Sequence, residues 1–232
     1  MWVCSLFIIV LICFGSEFMI IDMHIHEKTF SFDSFMQLED IVEKGKSRGL
    51  DGICITDHES NGLAGYAKKV SQELAYPIFV GAEILTYEGD VLIFGIDELP
   101  ARQMHGPELS AYVQQRGGVI ISAHPYRKNN RGMEDTILTD IHLDGIEGFN
   151  GSTPLELNLK ACEGALYRDL PVLGGSDAHR LDRVGRYATK FPGQITCMAE
   201  LVEAIKAGTA KPVYYERGVY REFQYEALVD AI

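Results

Sequence analysis

From residue 19 onward, short apolar runs rich in β-branched residues alternate with stretches whose apolar positions recur every three to four residues. That is the pattern expected when each strand needs a helix to cover it. The spacing predicts strands over 19–26, 52–57, 78–85, 91–96, 118–124, 144–149, 171–176 and 212–216. Helices are predicted over 34–48, 61–74, 108–116, 154–168 and 198–207; in the first, Phe35, Leu38, Ile41 and Val42 share one face. Gly49, Gly117 and Gly208 stand where a left-handed residue closes a helix. No linker, repeat or composition shift marks a second domain, so residues 19–232 are read as a single α/β domain. Seven or eight strand-helix units predict a closed or distorted TIM-like barrel, whose functional residues gather at the C-terminal ends of the strands.

Composition narrows the classes. The 232 residues are 47% hydrophobic and 23% charged, which excludes disordered and fibrous chains. A chain of this length buries roughly 70% of its surface on folding, so a bound metal would serve chemistry rather than hold the core together. Lys and Arg number 21 against 33 Asp and Glu, a net charge of −12. That balance predicts no extended nucleic-acid surface and no stable membrane association. Five cysteines, at 4, 13, 54, 162 and 197, show no CxxC spacing and fit a reducing, cytoplasmic setting. Residues 2–14 form an apolar run of signal-peptide length, too short for a hydrocarbon core of about 30 Å. No Lys or Arg precedes Lys28, and Met19 stands directly before the first predicted strand. Residues 1–18 are therefore read as a leader outside the fold, an over-called start or a signal-like segment that would export the chain only if genuine.

The histidines carry the chemistry. Of seven, His24, His26, His58, His124 and His179 fall at or just past the end of a predicted strand. In Asp22-Met23-His24-Ile25-His26 the two-residue period puts 22, 24 and 26 on one face. Two imidazoles roughly 7 Å apart at Cα can converge on one cation. Thr56-Asp57-His58 ends the second strand, where Asp57 can fix a neighbouring imidazole or a loop amide. Glu83 interrupts an apolar strand; a bridged metal or a salt bridge to Lys or Arg would each remove the cost of burying it. His124 ends the ISAHP segment, and Gly174-Gly175-Ser176-Asp177-Ala178-His179 repeats a carboxylate-x-imidazole spacing near the other end of the chain. Together these groups offer a mixed nitrogen and oxygen environment suited to Zn, Mn or Fe rather than Ca.

DMHIH, ITDH, GAE, SAHP and GSDAH, in that order over most of residues 20–180, resemble the PHP (polymerase and histidinol phosphatase) phosphoesterases. The resemblance implies a distorted (β/α)7 barrel with two or three divalent ions. It implies a first ion on His24, His26, Glu83 and Asp177, a second on Glu83 and His124, and a third on His58 and His179. Two positions depart from the commonest pattern. Gly89-Asp90 stands where many members have Gly-His, which makes Asp90 a substitute ligand of the second ion. The early Ser-Asp-Gly loop reads Ser31-Phe32-Asp33-Ser34, with one extra residue before Asp33 as a candidate ligand. Asp22 and Asp57 are expected behind the ligands.

The chemistry expected is hydrolysis of a small or terminal phosphate ester, including a nucleotide phosphate, by a metal-bridging hydroxide. Among Arg127, Arg180, Arg183 and Arg186, the pair Arg127 and Arg183 is preferred for phosphate oxygens. Glu147, in GIEGFN, is a candidate to orient a ligand or protonate a leaving group. Gly45-Lys46-Ser47 is set aside as a phosphate loop because Asp40 occupies the place of its first glycine, and His105 and His142 are read as surface residues. Asn150-Gly151-Ser152 is a glycosylation sequon that matters only to an exported chain. Two alternatives stand beside the phosphoesterase reading. One is an amidohydrolase-type metal hydrolase, which normally brings a bridging lysine on a middle strand; no predicted strand holds one. The other is a non-catalytic metal-binding PHP module.

Overall fold

The computed structural model of the protein describes residues 17–225. The leader expected over 1–18 lies outside them except for Glu17 and Phe18. The elements run β1 (Phe18–Ile25), α1 (Leu38–Arg48), β2 (Gly52–Ile55), α2 (Ala64–Leu74), β3 (Ile78–Val80), β4 (Ala82–Leu85), β5 (Asp90–Phe94) and α3 (Gly106–Gln115). They continue with β6 (Val119–Ser122), a 3₁₀ turn over Glu134–Leu138, β7 (Gly145–Asn150), α4 (Leu155–Tyr167), β8 (Val172–Gly175), β9 (Tyr187–Pro192), α5 (Met198–Lys206), β10 (Lys211–Glu216) and β11 (Val219–Glu222). Among the described residues no helix is long and apolar enough to cross a membrane.

The strands form two sheets, one in the order β11-β10-β9-β1-β2-β3 and one in the order β4-β5-β6-β7-β8. Parallel ladders join β1 to β2, β2 to β3, β6 to β7 and β7 to β8. The β4-β5-β6 ladders and the pairings of β9 are antiparallel. No continuous ladder of named strands closes these two sheets into one cylinder among the described residues. Two single bridges join them instead, Ile25 to Ala178 and His58 to Glu83, and both lie among the candidate ligands.

The strand expected over 78–85 is in fact two strands in different sheets, with Gly81 between them. A Cβ at Gly81 would lie 2.4 Å from the carbonyl oxygen of Ile93, so the crossing needs a residue without a side chain. Strands β9 and β11 fall in segments where the pattern predicts no strand. Helix α1 begins at Leu38 rather than 34, because Ser34 and Phe35 are used elsewhere: Ser34 Oγ donates to the His26 carbonyl at 2.7 Å and Phe35 N–H to the His179 carbonyl at 3.4 Å.

The alternation along β1 sorts its side chains as expected. Met23 packs in an apolar cluster with Leu201, Val202 and Ile205 of α5, and Ile25 in one with Ile41 and Val42 of α1 and Val70 of α2. Each fully buried aliphatic side chain contributes roughly 1.5–3 kcal/mol, so the register of β1 is fixed from its odd-numbered face. Its even-numbered face is thereby held toward the polar interior, carrying Asp22, His24 and His26.

Candidate metal centre

The packing of β1 delivers His24 and His26 to one buried point, and their outer nitrogens fix their tautomers. Glu147 Oε1 accepts from His24 Nδ1 at 3.0 Å. Ser31 Oγ donates to Asp57 Oδ1 at 2.7 Å, which leaves the hydroxyl oxygen to accept from His26 Nδ1 at 3.1 Å. With both Nδ1 atoms protonated, both Nε2 atoms present lone pairs, and these face one another across 3.0 Å. Two lone pairs at that separation repel unless a proton or a metal ion lies between them. The close approach of His24 to Glu147 requires Gly175 in β8: a Cβ there would meet Glu147 Oε1 and His24 Cβ, each at 2.6 Å.

Glu83 is shared. Its Oε1 lies 2.9 Å from His124 Nε2 and 3.6 Å from His24 Nε2, and its Oε2 lies 2.8 Å from His58 Nδ1 and 3.6 Å from His26 Nε2. Among the described residues no Lys or Arg pairs with it, so the salt-bridge explanation of this buried acid falls. The His58 Nδ1 contact lacks hydrogen-bond geometry, and His124 Nδ1 is buried without a partner. Asp177 Oδ1 faces His26 Nε2 at 3.3 Å, His179 Nδ1 at 3.6 Å and His24 Nε2 at 3.7 Å. His124 and Asp177 both adopt left-handed φ, 30° and 49°, a backbone strain that the surrounding structure has to hold in place. Three groups could each hold an ion: His24, His26 and Asp177; His24, Glu83 and His124; and His26, His58 and His179.

The centre opens toward solvent at His58, His179 and Asp33. Asp33 Oδ2 lies 3.3 Å from His58 Nε2 and 3.3 Å from His179 Nε2. Beside it is a pocket of about 530 Å³, lined by Ser152, Asp177, His179, Arg180, Arg183 and Arg186 among others. Arg183 is thus at this pocket, whereas Arg127 is paired with Asp177 Oδ2. Asp90 does not join the imidazoles. Both of its oxygens accept from Arg131, Oδ2 from Nε at 2.7 Å and Oδ1 from Nη2 at 2.9 Å, and it stands 3.9 Å from His124 Nε2. Asp90, expected as a substitute ligand, is held here in a bidentate pair by the Arg131 guanidinium.

Behind the ligands, the acids have distinct tasks. Glu147 Oε2 accepts from the His124 backbone N–H at 2.9 Å and from Asn150 Nδ2 at 3.0 Å, so both carboxylate oxygens are engaged inside the protein. That geometry orients His24 and leaves nothing aimed at a leaving group. Asp22 binds backbone rather than imidazole, accepting from Ser176 N–H and Gly185 N–H, each at 2.8 Å. Asp57 accepts from the Glu27 N–H at 2.7 Å and reaches His26 only through Ser31. Three participants went unread in the sequence: Ser31, Arg131 and Asn150, whose Nδ2 also donates to Asp177 Oδ2 at 3.1 Å. Asn150 is fully buried, which takes the sequon out of reach of glycosylation in the folded chain.

Electrostatics follow from this crowding. Burial alone would raise the pKa of Glu83, but His24 foremost among its neighbouring imidazoles holds it well below the ordinary carboxylate range. Asp177 is likewise depressed against its burial, by His24 and His26. Burial opposes protonation of His24, yet Glu147, Asp177 and Glu83 raise its pKa, while burial takes His26 down to about 4. Burial lifts Asp22, Asp57 and Asp90 to about 6. The centre therefore combines ionised carboxylates with imidazoles whose protons a divalent ion would displace, a donor set that fits ions of the Zn, Mn or Fe type.

The family profile PHP_C, described as PHP-associated, matches residues 156–210, the stretch that carries Asp177, His179 and the three pocket arginines. A structure from Bifidobacterium adolescentis, described as a metal-dependent phosphoesterase, superposes with a TM-score of 0.60 at 20% identity, covering 80% of this chain and 95% of that one. Over residues 156–210 the chain is similar to the PHP-associated family, and it shares the fold of that structure. The fold is also shared, at a TM-score of 0.60 and 16% identity, with an amidohydrolase from Chromobacterium violaceum solved with sulfate and no metal; the match covers 85% of this chain and 98% of that one. In sequence, the chain is 29% identical over 138 residues to protein MJ1587 of Methanocaldococcus jannaschii, covering 56% of this chain and 80% of its relative.

Proposed function

We propose that the chain is a metal-dependent hydrolase of phosphate esters, acting on a small or terminal phosphate. The observation that carries this reading is Glu83, a buried acid whose two oxygens each lie between two imidazoles. On this reading His24, His26, Glu83 and Asp177 hold one ion, Glu83 and His124 help hold a second, and His58 and His179 with Asp33 hold one at the mouth. Asp90 is left out of the set. Bound there, divalent ions supply Lewis acidity, which lowers the pKa of water and neutralises charge on a transferring phosphoryl group.

The chain's own residues prepare that chemistry. Glu147 and Ser31 keep His24 and His26 in the tautomers that aim Nε2 inward. Arg127 and Asn150 occupy Asp177 Oδ2, so that Oδ1 alone faces the imidazoles. Arg180, Arg183 and Arg186 give the adjoining pocket a cationic wall for an anion. Such a wall favours a phosphate ester over the neutral amide or lactone of an amidohydrolase. The net charge of −12 opposes a long nucleic acid, which leaves a small phosphorylated molecule or a nucleotide. The free thiols of Cys54 and Cys197 suit a cytoplasmic setting. The two sheets, bridged at the ligands, are on this reading the halves of a distorted barrel.

The test is a substrate screen of purified protein loaded with Mn, Zn or Fe, comparing phosphomonoesters and nucleotides with amides and lactones. Phosphate release from a monoester is expected. Amide or lactone cleavage without phosphate release makes the chain an amidohydrolase, and no cleavage of any kind makes it a binding module.

A further inference from the structure

The segment between β1 and α1 sends its polar and aromatic side chains in opposite directions. Ser31 is buried, with its hydroxyl between His26 and Asp57. Asp33 reaches His58 and His179, and Ser34 Oγ donates to the His26 carbonyl. Between these anchors Phe32 is 92% exposed and Phe35 is 81% exposed. A single exposed apolar residue is ordinary. Two phenyl rings are different when they stand in solvent on a backbone pinned at Ser31, Asp33 and Ser34, because a fixed loop cannot fold them away. Their place is also fixed. Phe32 is bonded to both Ser31 and Asp33, and the Phe35 N–H donates to the carbonyl of His179, whose side chain lines the arginine pocket.

We propose that Phe32 and Phe35 form a stacking platform at the mouth of the centre, and that the substrate is a phosphate ester whose leaving group carries a flat aromatic or heteroaromatic ring, as a nucleotide does. The inference rests on the phosphoesterase reading. His179 lines the arginine pocket, and the loop that carries both phenyl groups meets His179 through Asp33 and the Phe35 N–H, so one molecule with an anion and a ring can reach both. Aromatic faces stack on any planar ring and are indifferent to its hydrogen-bonding edge, so the platform selects for the ring rather than for one base. The chain's net charge of −12 disfavours the other use of exposed phenyl groups, insertion into an anionic membrane surface.

The experiment compares metal-loaded wild type, Phe32→Ser, Phe35→Ser and Phe32→Trp on two monoesters, a nucleoside 5′-monophosphate and ribose 5-phosphate. The readout is the ratio of kcat/KM for the two. Wild type is expected to prefer the nucleotide, each serine variant to lower the ratio about tenfold through KM, and the tryptophan variant to keep it. A ratio unchanged in both serine variants, or a wild type without preference, overturns the platform while leaving the phosphoesterase reading in place. So does an unchanged ratio accompanied by loss of binding to phosphatidylserine vesicles, which assigns the phenyl groups to a membrane. Failure of wild type to hydrolyse any phosphate ester overturns both readings.

Discussion

The deep end of the centre and its mouth are built from the same residue types under opposite conditions. His24, His26, Glu83, His124 and Asp177 are at most 2% exposed, and outer partners steer His24, His26 and Asp177. At the mouth the side chains of His58, His179 and Asp33 are 21%, 24% and 45% exposed, with Asp33 joining the two imidazoles from the solvent side. Burial raises the cost of leaving a donor set unsatisfied, and outer hydrogen bonds remove the entropy of aiming it. The deep donors should therefore hold their ions tightly and the mouth donors exchangeably.

Several changes would break or sharpen that contrast. The largest effect is expected at the deep end: His24→Ala or Asp177→Ala should abolish turnover while far-ultraviolet circular dichroism stays that of the folded protein. Next comes Glu147→Ala, which leaves every expected ligand in place but frees the His24 ring and the His124 backbone. Metal affinity should fall about 10–100-fold, read by competition with a chelating dye. At the mouth, His58→Ala or His179→Ala should cost one exchangeable ion and leave the deep ones. Graded chelation of wild type should then show two phases, of which these variants lack the first; a single phase in wild type would erase the distinction drawn here. The smallest effect is expected for Asp90→Asn. Its partner is Arg131 rather than an ion, so metal content should not change and stability should fall by about 1 kcal/mol on a denaturant curve.

Much of this was legible along the chain because strand geometry is periodic. The DMHIH segment had to place its acid and both imidazoles on one face, and the apolar clusters around Met23 and Ile25 enforce that side. What escaped did so for local reasons. The run from Ile78 to Leu85 is apolar but for Glu83, and nothing in hydropathy tells that Gly81 passes the chain from one sheet to the other. Strand β11 had a readable signal: Arg217 and Gly218, with φ of 49° and 90°, make a two-residue hairpin turn of the kind that x-Gly announces. Phe35 fitted a helical period but is held by the site, a case of tertiary contact overriding pattern. The pairing of Asp90 with Arg131 was not legible because the arginine lies forty-one residues further on, and no spacing rule connects them.

The central claim is that Glu83 is the acid shared among the ions of this centre. Elemental analysis of wild type and Glu83→Gln, both purified without chelator and confirmed folded, tests it most directly. The account predicts at least two equivalents of divalent metal in wild type and the loss of more than one in the variant. Metal-free wild type, or equal metal content in the two proteins, would contradict it.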